Sequence, residues 1–163
     1  MSKTILVTGG SRGIGAATAR LAGARGWSVG VNYAGNAEAA AETVKAVEAA
    51  GGRAIAIQGD VANEADVIAM FDATETAFGK LDGVFNNAGI VRKGAKIADM
   101  DTQSTKRLFD TNVFGAFLVA REAARRMSTS RGGNGGSLVI MSSAAARLGG
   151  GGEMVDYAAS KGA

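Results

Sequence analysis

The stretch Lys3–Gly15, KTILVTGGSRGIG, decides the fold. Lys3–Thr8 is short and rich in β-branched residues, with glycine at its end, and reads as a buried strand. From Gly13 to Arg25 the chain is alanine-rich and reads as a helix. A glycine turn therefore joins the first strand to the first helix. Gly9 permits the tight turn, Gly13 lets the backbone approach a pyrophosphate, and Gly15 lets helix and strand pack closely. A phosphate there would meet the free N–H groups and positive end of the helix. A glycine turn alone is a weak signal. Its place between the first strand and first helix of a βαβ unit makes it a nucleotide-site signal.

The same alternation continues along the chain. Strands are expected at Trp27–Tyr33, Arg53–Asp60, Leu81–Gly89 and Gly135–Ser143. Helices are expected at Asn36–Ala50, Asn63–Phe78 and Thr102–Met127, and from Asp156 onward. Asn36 and Asn63 are of the type that caps a helix start, and Gly51-Gly52 and Gly79 of the type that stops one. Alternating strands and helices require right-handed crossovers and a parallel sheet covered on both faces. The continuously apolar strands agree, because such strands are buried on both sides. Arg131–Gly136 and Gly149–Gly152 read as loops. One domain is expected over 1–163.

Composition removes several functional classes. The chain has no cysteine and no histidine, which excludes disulfides, thiolate metal sites and histidine-based triads. No apolar run reaches the roughly 18 residues of a membrane helix. The first ten residues are too short and polar for a signal peptide, so a cytoplasmic location and no membrane partner are expected. Net charge is only +3, and Arg121, Arg125 and Arg126 read as a solvated face rather than a nucleic-acid surface. Glycine is abundant, at 25 residues, and proline is absent. Joint absence of Pro, His and Cys raises engineering or editing of the sequence as a reading.

The glycine spacing is G-x-x-x-G-x-G, with Thr8 in front. Further along stand Asn86-Asn87-Ala88-Gly89, Asn112 within DTNVFG, Ser142-Ser143 at the end of the fifth strand, and Tyr157-x-x-x-Lys161. Together, in this order, these motifs resemble the classical short-chain dehydrogenase/reductase family over residues 4–163. The resemblance implies an α/β Rossmann-type doubly wound sheet of strand order 3-2-1-4-5. The family's strands 6 and 7 have no counterpart here, so the chain is read as C-terminally truncated. The closest-looking relatives are the oxoacyl-carrier-protein reductases and the sugar or polyol dehydrogenases. The substrate expected is thus a small-molecule or acyl-thioester carbonyl, or the corresponding alcohol. For a full-length member the resemblance implies a homo-oligomer, tetramer or dimer. The competing reading is a truncated or engineered nucleotide-binding module without turnover.

The site residues follow by position. Gly9, Ser11, Arg12, Gly13, Ile14 and Gly15 would hold the pyrophosphate end of the cofactor. Asn32 and Tyr33 end the second strand, where an acid would grip the ribose 2′-hydroxyl and repel a 2′-phosphate. No acid follows until Glu38, and Arg12 can pair with a phosphate. Both features favour NADP(H) over NAD(H). By resemblance, Asp60 and Val61 contact adenine, and Asn87, Ala88 and Gly89 run along the cofactor. Asn86 is expected to tie neighbouring strands together. Carbonyl reduction needs a proton donor, and a free tyrosine titrates near 10, so it must be tuned. A lysine at i+4 shares its helix face. Tyr157 is therefore the expected acid/base. Lys161 eases its ionisation and, by resemblance, holds the nicotinamide ribose. Ser143, rather than Ser142, would orient the substrate oxygen. The resemblance makes Asn112 a distorter of its helix that holds a proton-relay water toward Lys161. It also leaves a five-strand sheet with strand five as an exposed edge.

Overall fold

The computed structural model describes residues 2–92 and 94–163. Five strands form one parallel sheet: β1 (Thr4–Val7), β2 (Ser28–Tyr33), β3 (Arg53–Gln58), β4 (Gly83–Asn86) and β5 (Ser137–Ile140). Their order is β3-β2-β1-β4-β5, as the motifs imply. Register is continuous across the sheet. Leu6 stands beside Gly30 on one side and Val84 on the other, and Phe85 stands beside Val139.

Among the described residues there are seven α-helices: α1 (Gly13–Gly23), α2 (Ala37–Ala49), α3 (Glu64–Phe78), α4 (Thr102–Phe109), α5 (Gly115–Met127), α6 (Ala145–Leu148) and α7 (Val155–Gly162). Successive strand residues point to opposite faces. Leu6 and Val84 therefore pack with Val67, Met70, Phe71, Leu118 and Val119 under α3 and α5. Val7 and Phe85 pack with Ala19, Val29, Val31 and Val47 under α1 and α2. Two apolar layers with one sheet between them make the doubly wound architecture.

The helix starts read from asparagine hold. The Asn36 side chain accepts from the Ala39 N–H at 2.9 Å, and that of Asn63 accepts from the Ala65 N–H at 2.9 Å. Gly79, at φ +86°, ends α3. The expected helix over Thr102–Met127 is not one helix. A π-helical turn, Asp110–Phe114, separates α4 from α5. Where the turn rejoins the α-helix, Gly115 lies so close to Val61 that a Cβ would sit 2.8 Å from Val61 Cγ2. Between β5 and the Gly149–Gly152 loop stands a short helix, α6, where the sequence reading placed no element. Strands end earlier than expected. After Asn86, the N–H groups of Asn87 and Ala88 turn to Thr8 Oγ1, at 3.0 Å each, and leave the sheet. β5 pairs only with β4, and all four of its residues are exposed. Among the described residues, no helix is long and apolar enough to cross a membrane.

Candidate active site

The carboxyl ends of β1, β2, β3 and β4 open onto a cleft of about 530 Å³. Crevices at the carboxyl ends of parallel strands are where open α/β sheets take ligands. Gly9, Ser11, Arg12, Gly13 and Ile14 form one wall, and Asn87, Ala88 and Gly89 another. Gly9 (φ +62°) and Gly13 (φ +56°) adopt the left-handed backbone that favours glycine. Gly13 faces open space, whereas a Cβ on Gly15 would strike the Gly9 carbonyl and lie 2.8 Å from Asn87 Nδ2. Arg12 stands at the start of α1 without capping it, so no side chain covers the first N–H groups of that helix. An uncapped helix start before open space, with glycine on both sides, fits a dinucleotide's pyrophosphate.

Thr8 holds this arrangement together. Its hydroxyl receives the Asn87 and Ala88 N–H groups, while Asn87 Nδ2 donates to the carbonyls of Thr8 (2.9 Å) and Gly9 (3.2 Å). The glycine turn and the Asn86–Gly89 segment are thus one cross-linked unit.

Asn32 lies beneath the cleft, buried. Its Oδ1 accepts from the Gly9 N–H at 3.1 Å, and its Nδ2 donates to the carbonyls of Gly59 (2.9 Å) and Ile57 (3.3 Å). The amide is therefore spent on the scaffold, and the cofactor side of the strand-two end falls to Tyr33, Ala34 and Gly35. Asn86 also departs from expectation. Its side chain donates to the Ala116 carbonyl at 2.8 Å, tying β4 to α5 rather than to a neighbouring strand.

Asp60 and Val61 line the far end of the cleft. Burial acts to raise the Asp60 carboxyl. The Ala62 N–H and the Arg107 guanidinium outweigh it and hold the group below the usual aspartate range. Arg107 Nη2 lies 2.6 Å from Asp60 Oδ2. Arg107 was not legible as a site residue, because 47 positions separate it from its partner.

Past Ala88 the cleft meets a second pocket, of about 400 Å³, whose lining brings Asn112 and Lys161 together. A Cβ on Gly89 would be 3.2 Å from both Asn112 Oδ1 and Lys161 Nζ. Asn112 is buried within the π turn. Its Oδ1 accepts from the Ile90 N–H at 2.8 Å, and its Nδ2 donates to the Ile90 carbonyl (2.9 Å) and Ser160 Oγ (3.0 Å). The side chain is thereby fully engaged and locks the chain after β4 to α7. Lys161 Nζ donates to the Met141 carbonyl at 3.1 Å. Burial pushes the Lys161 amine below its usual value.

Tyr157 is one helical turn before Lys161 on α7 and half-buried. The preceding Asp156 is buried, accepts from the Tyr157 N–H at 2.8 Å, and is paired with Arg92. That pair anchors the start of α7 to the segment after β4, and nothing in the sequence pattern pointed to it. Ser143 Oγ accepts from the Ala145 N–H at 3.2 Å, at the start of α6, and no hydrogen bond joins it to Tyr157. Ser142 instead donates to the Lys161 carbonyl at 2.8 Å.

Fold and cleft define a dinucleotide-binding α/β protein. The family model described as short chain dehydrogenase matches residues 3–163, and the chain belongs to that family. It is 48% identical over 158 residues to the "Uncharacterized oxidoreductase YgfF" of Escherichia coli K12, covering 97% of this chain and 64% of that protein. It is 45% identical over 122 residues to 3beta-hydroxysteroid dehydrogenase 1 of Eggerthella lenta, covering 74% of this chain and 46% of the relative. The crystal structure of NADH-dependent reductase A1-R′ complexed with NAD superposes with a TM-score of 0.90 at 28% identity, covering 99% of this chain and 68% of that one. The chain spans less than two thirds of the length of these two curated relatives.

Proposed function

We propose that the protein is an NADP(H)-dependent oxidoreductase that interconverts a carbonyl and a secondary alcohol, with Tyr157 as general acid/base. The observation that carries the reading is that Gly89, on the wall of the cleft that the glycine turn opens, stands against Asn112 and Lys161 of the adjoining pocket. The dinucleotide, when bound, supplies or takes the hydride. Tyr157 gives the proton to the substrate oxygen, or accepts it in the reverse direction. Lys161, one turn along the same face, would hold the nicotinamide ribose and place a positive charge beside the reacting groups. Ser143 keeps its hydroxyl proton free to donate to the substrate oxygen, because its Oγ acts only as acceptor toward Ala145. Asn112 fixes the height of α7, and with it both catalytic side chains, through Ser160.

The NADP(H) preference rests on charge. Arg12 is exposed at the cleft mouth and forms no ion pair among the described residues. It shares a second recess of about 290 Å³ with Arg20, Thr43 and one carboxylate, Glu42, which the two guanidinium groups outnumber. The end of β2 brings no acid to oppose a 2′-phosphate. A cation with no protein partner beside an acid-free strand end suits a phosphate monoester better than a bare hydroxyl.

Titration with NADPH and NADH should give the tighter constant for NADPH, and Arg12→Ala should narrow the ratio. Turnover is tested by NADPH oxidation with a panel of ketones, aldehydes and oxoacyl thioesters. Tyr157→Phe should lower it by about 10²–10⁴-fold while leaving NADPH affinity unchanged. Undiminished turnover in that variant would refute the acid/base assignment. A second reading, a nucleotide-binding module without turnover, is favoured by the absence of any hydrogen bond between Ser143 and Tyr157. NADPH binding without oxidation across the whole panel is its signature.

A further inference from the structure

Tyr157 is gripped at both of its peptide groups. Its N–H donates to Asp156 Oδ1 at 2.8 Å, and its carbonyl accepts from Ser160 Oγ at 2.8 Å. Neither partner stands alone. Asp156 is buried, and its Oδ2 is paired with Arg92 Nε. Ser160 Oγ accepts in turn from Asn112 Nδ2 at 3.0 Å, and Asn112 is bonded to both backbone groups of Ile90. Both ties therefore lead to one short segment, Ile90–Arg92, which directly follows the cleft wall Asn87–Gly89. Met154 provides no side-chain cap for α7, and the Asp156 carboxylate sits in the first turn, where a helix favours negative charge. Among the described residues, Asp156 is the one hydrogen-bond partner of the Arg92 side chain. Apolar side chains of similar volume would hold α7 without the desolvation cost of two buried charges. What the pair adds is a fixed direction.

We propose that Arg92 and Asp156 are positioning residues for the acid/base: through the Tyr157 N–H they set the rotation of α7 about its axis, and with it the place of the Tyr157 hydroxyl. The inference rests on the acid/base reading of Tyr157 and deepens it. Because Ile90–Arg92 continues the cleft wall, one segment registers the tyrosine against the dinucleotide. A misplacement of about 1 Å costs a reacting group up to about 10²-fold in rate. The helix stays docked without the pair, because the Ala95 N–H still donates to the Glu153 carbonyl at 2.9 Å and Asn112 still holds Ser160.

The test separates direction from stability. Arg92→Met alone leaves the Asp156 carboxylate buried without its cation, and the urea midpoint should fall. Arg92→Met/Asp156→Leu removes both charges, and the midpoint should return toward that of the wild type. Turnover is read by NADPH oxidation with the ketone, aldehyde or oxoacyl thioester that the wild type reduces fastest. In the double variant kcat should stay about 10–100-fold low, with the KM for NADPH unchanged. Arg92→Lys, which keeps the charge, should recover part of kcat. In a Tyr157→Phe background the same double change should cost the residual rate almost nothing, because the pair acts through Tyr157. That comparison holds whatever the midpoint does. A kcat restored together with the midpoint overturns the proposal. So do an Arg92→Lys variant no faster than Arg92→Met, and an equal loss with and without the tyrosine hydroxyl. Absence of wild-type turnover across the whole panel overturns the acid/base reading itself, and this proposal with it.

Discussion

Replacing Thr8 by valine tests the cross-link on which the cleft depends. Thr8 is fully buried, and its hydroxyl oxygen receives the N–H groups of Asn87 and Ala88 at 3.0 Å each. Valine keeps the shape and removes the acceptor. Each donor left without a partner costs about 1–3 kcal/mol. Both lie on half-buried residues, so the lower half of that range applies, about 2–4 kcal/mol for the pair. The added methyl group recovers about 0.8 kcal/mol, leaving a net loss of about 1–3 kcal/mol. Trp27, the single tryptophan, reports unfolding in urea. With a slope of about 2 kcal/mol/M, the midpoint should fall by roughly 0.5–1.5 M. NADPH affinity should fall with it, because the glycine turn and Asn87 lose their common anchor. An unchanged midpoint together with unchanged affinity would mean that water serves the two N–H groups equally well, and that Thr8 is not the tie described.

Three further outcomes are expected. Gly15→Ala should destabilise by about 1–3 kcal/mol, the usual cost of overpacking, and abolish NADPH binding. Gly13→Ala, with open space around it and φ +56°, should cost about 1 kcal/mol of backbone strain; equal effects on stability would contradict the geometry. Arg126→Met removes the guanidinium that bridges Asp72, Glu75 and the buried Glu122 and lies over the Phe71 ring. A stability loss of about 1–3 kcal/mol, discounted for the exposed side of the network, should be partly recovered by adding Glu122→Gln, measured by urea midpoints. Lys161 concerns pH: burial depresses its folded-state pKa below that of the unfolded chain. Above the folded value and below the unfolded one, the unfolded state binds more protons, so stability rises with pH in that window. Relative to Lys161→Met, the wild type should gain in midpoint as pH is raised toward 10, and a gap that widens against the wild type would invert the sign.

Much of this molecule was legible because its signals are local. Asn36 and Asn63 announce their helices within three residues, and the glycine turn carries its own backbone requirement. The π turn was not legible from composition, although the resemblance placed a helix distortion at Asn112, which the turn contains. Thr102–Met127 has uninterrupted helical composition, and what widens the helix is remote: Ile90 gripping Asn112, and Val61 against Gly115. The same holds for the site. Tyr157 and Lys161 were read as a pair from one helical repeat, whereas Arg92–Asp156 and Arg107–Asp60 join residues 64 and 47 positions apart. Asn32 was read at the end of β2 and does line the cleft, but the bonds its amide makes beneath it were not legible. Strand alternation says which face a side chain takes, not that its amide will be consumed by the Gly9 N–H and two carbonyls of the next strand's end.

The end of β2 separates two duties that adjacent positions could easily have shared. Asn32 carries the scaffold, and Ala34 and Gly35, both exposed, face the cleft; only the Ala34 carbonyl, which accepts from Gln58 Nε2 at 3.2 Å, touches the frame, and it belongs to no side chain. Cofactor preference can therefore drift through these neighbours without passing through a folding defect, whereas any route through Asn32 meets one at the first step. On the proposed cofactor reading, the selector can be rewritten independently of the frame that displays it.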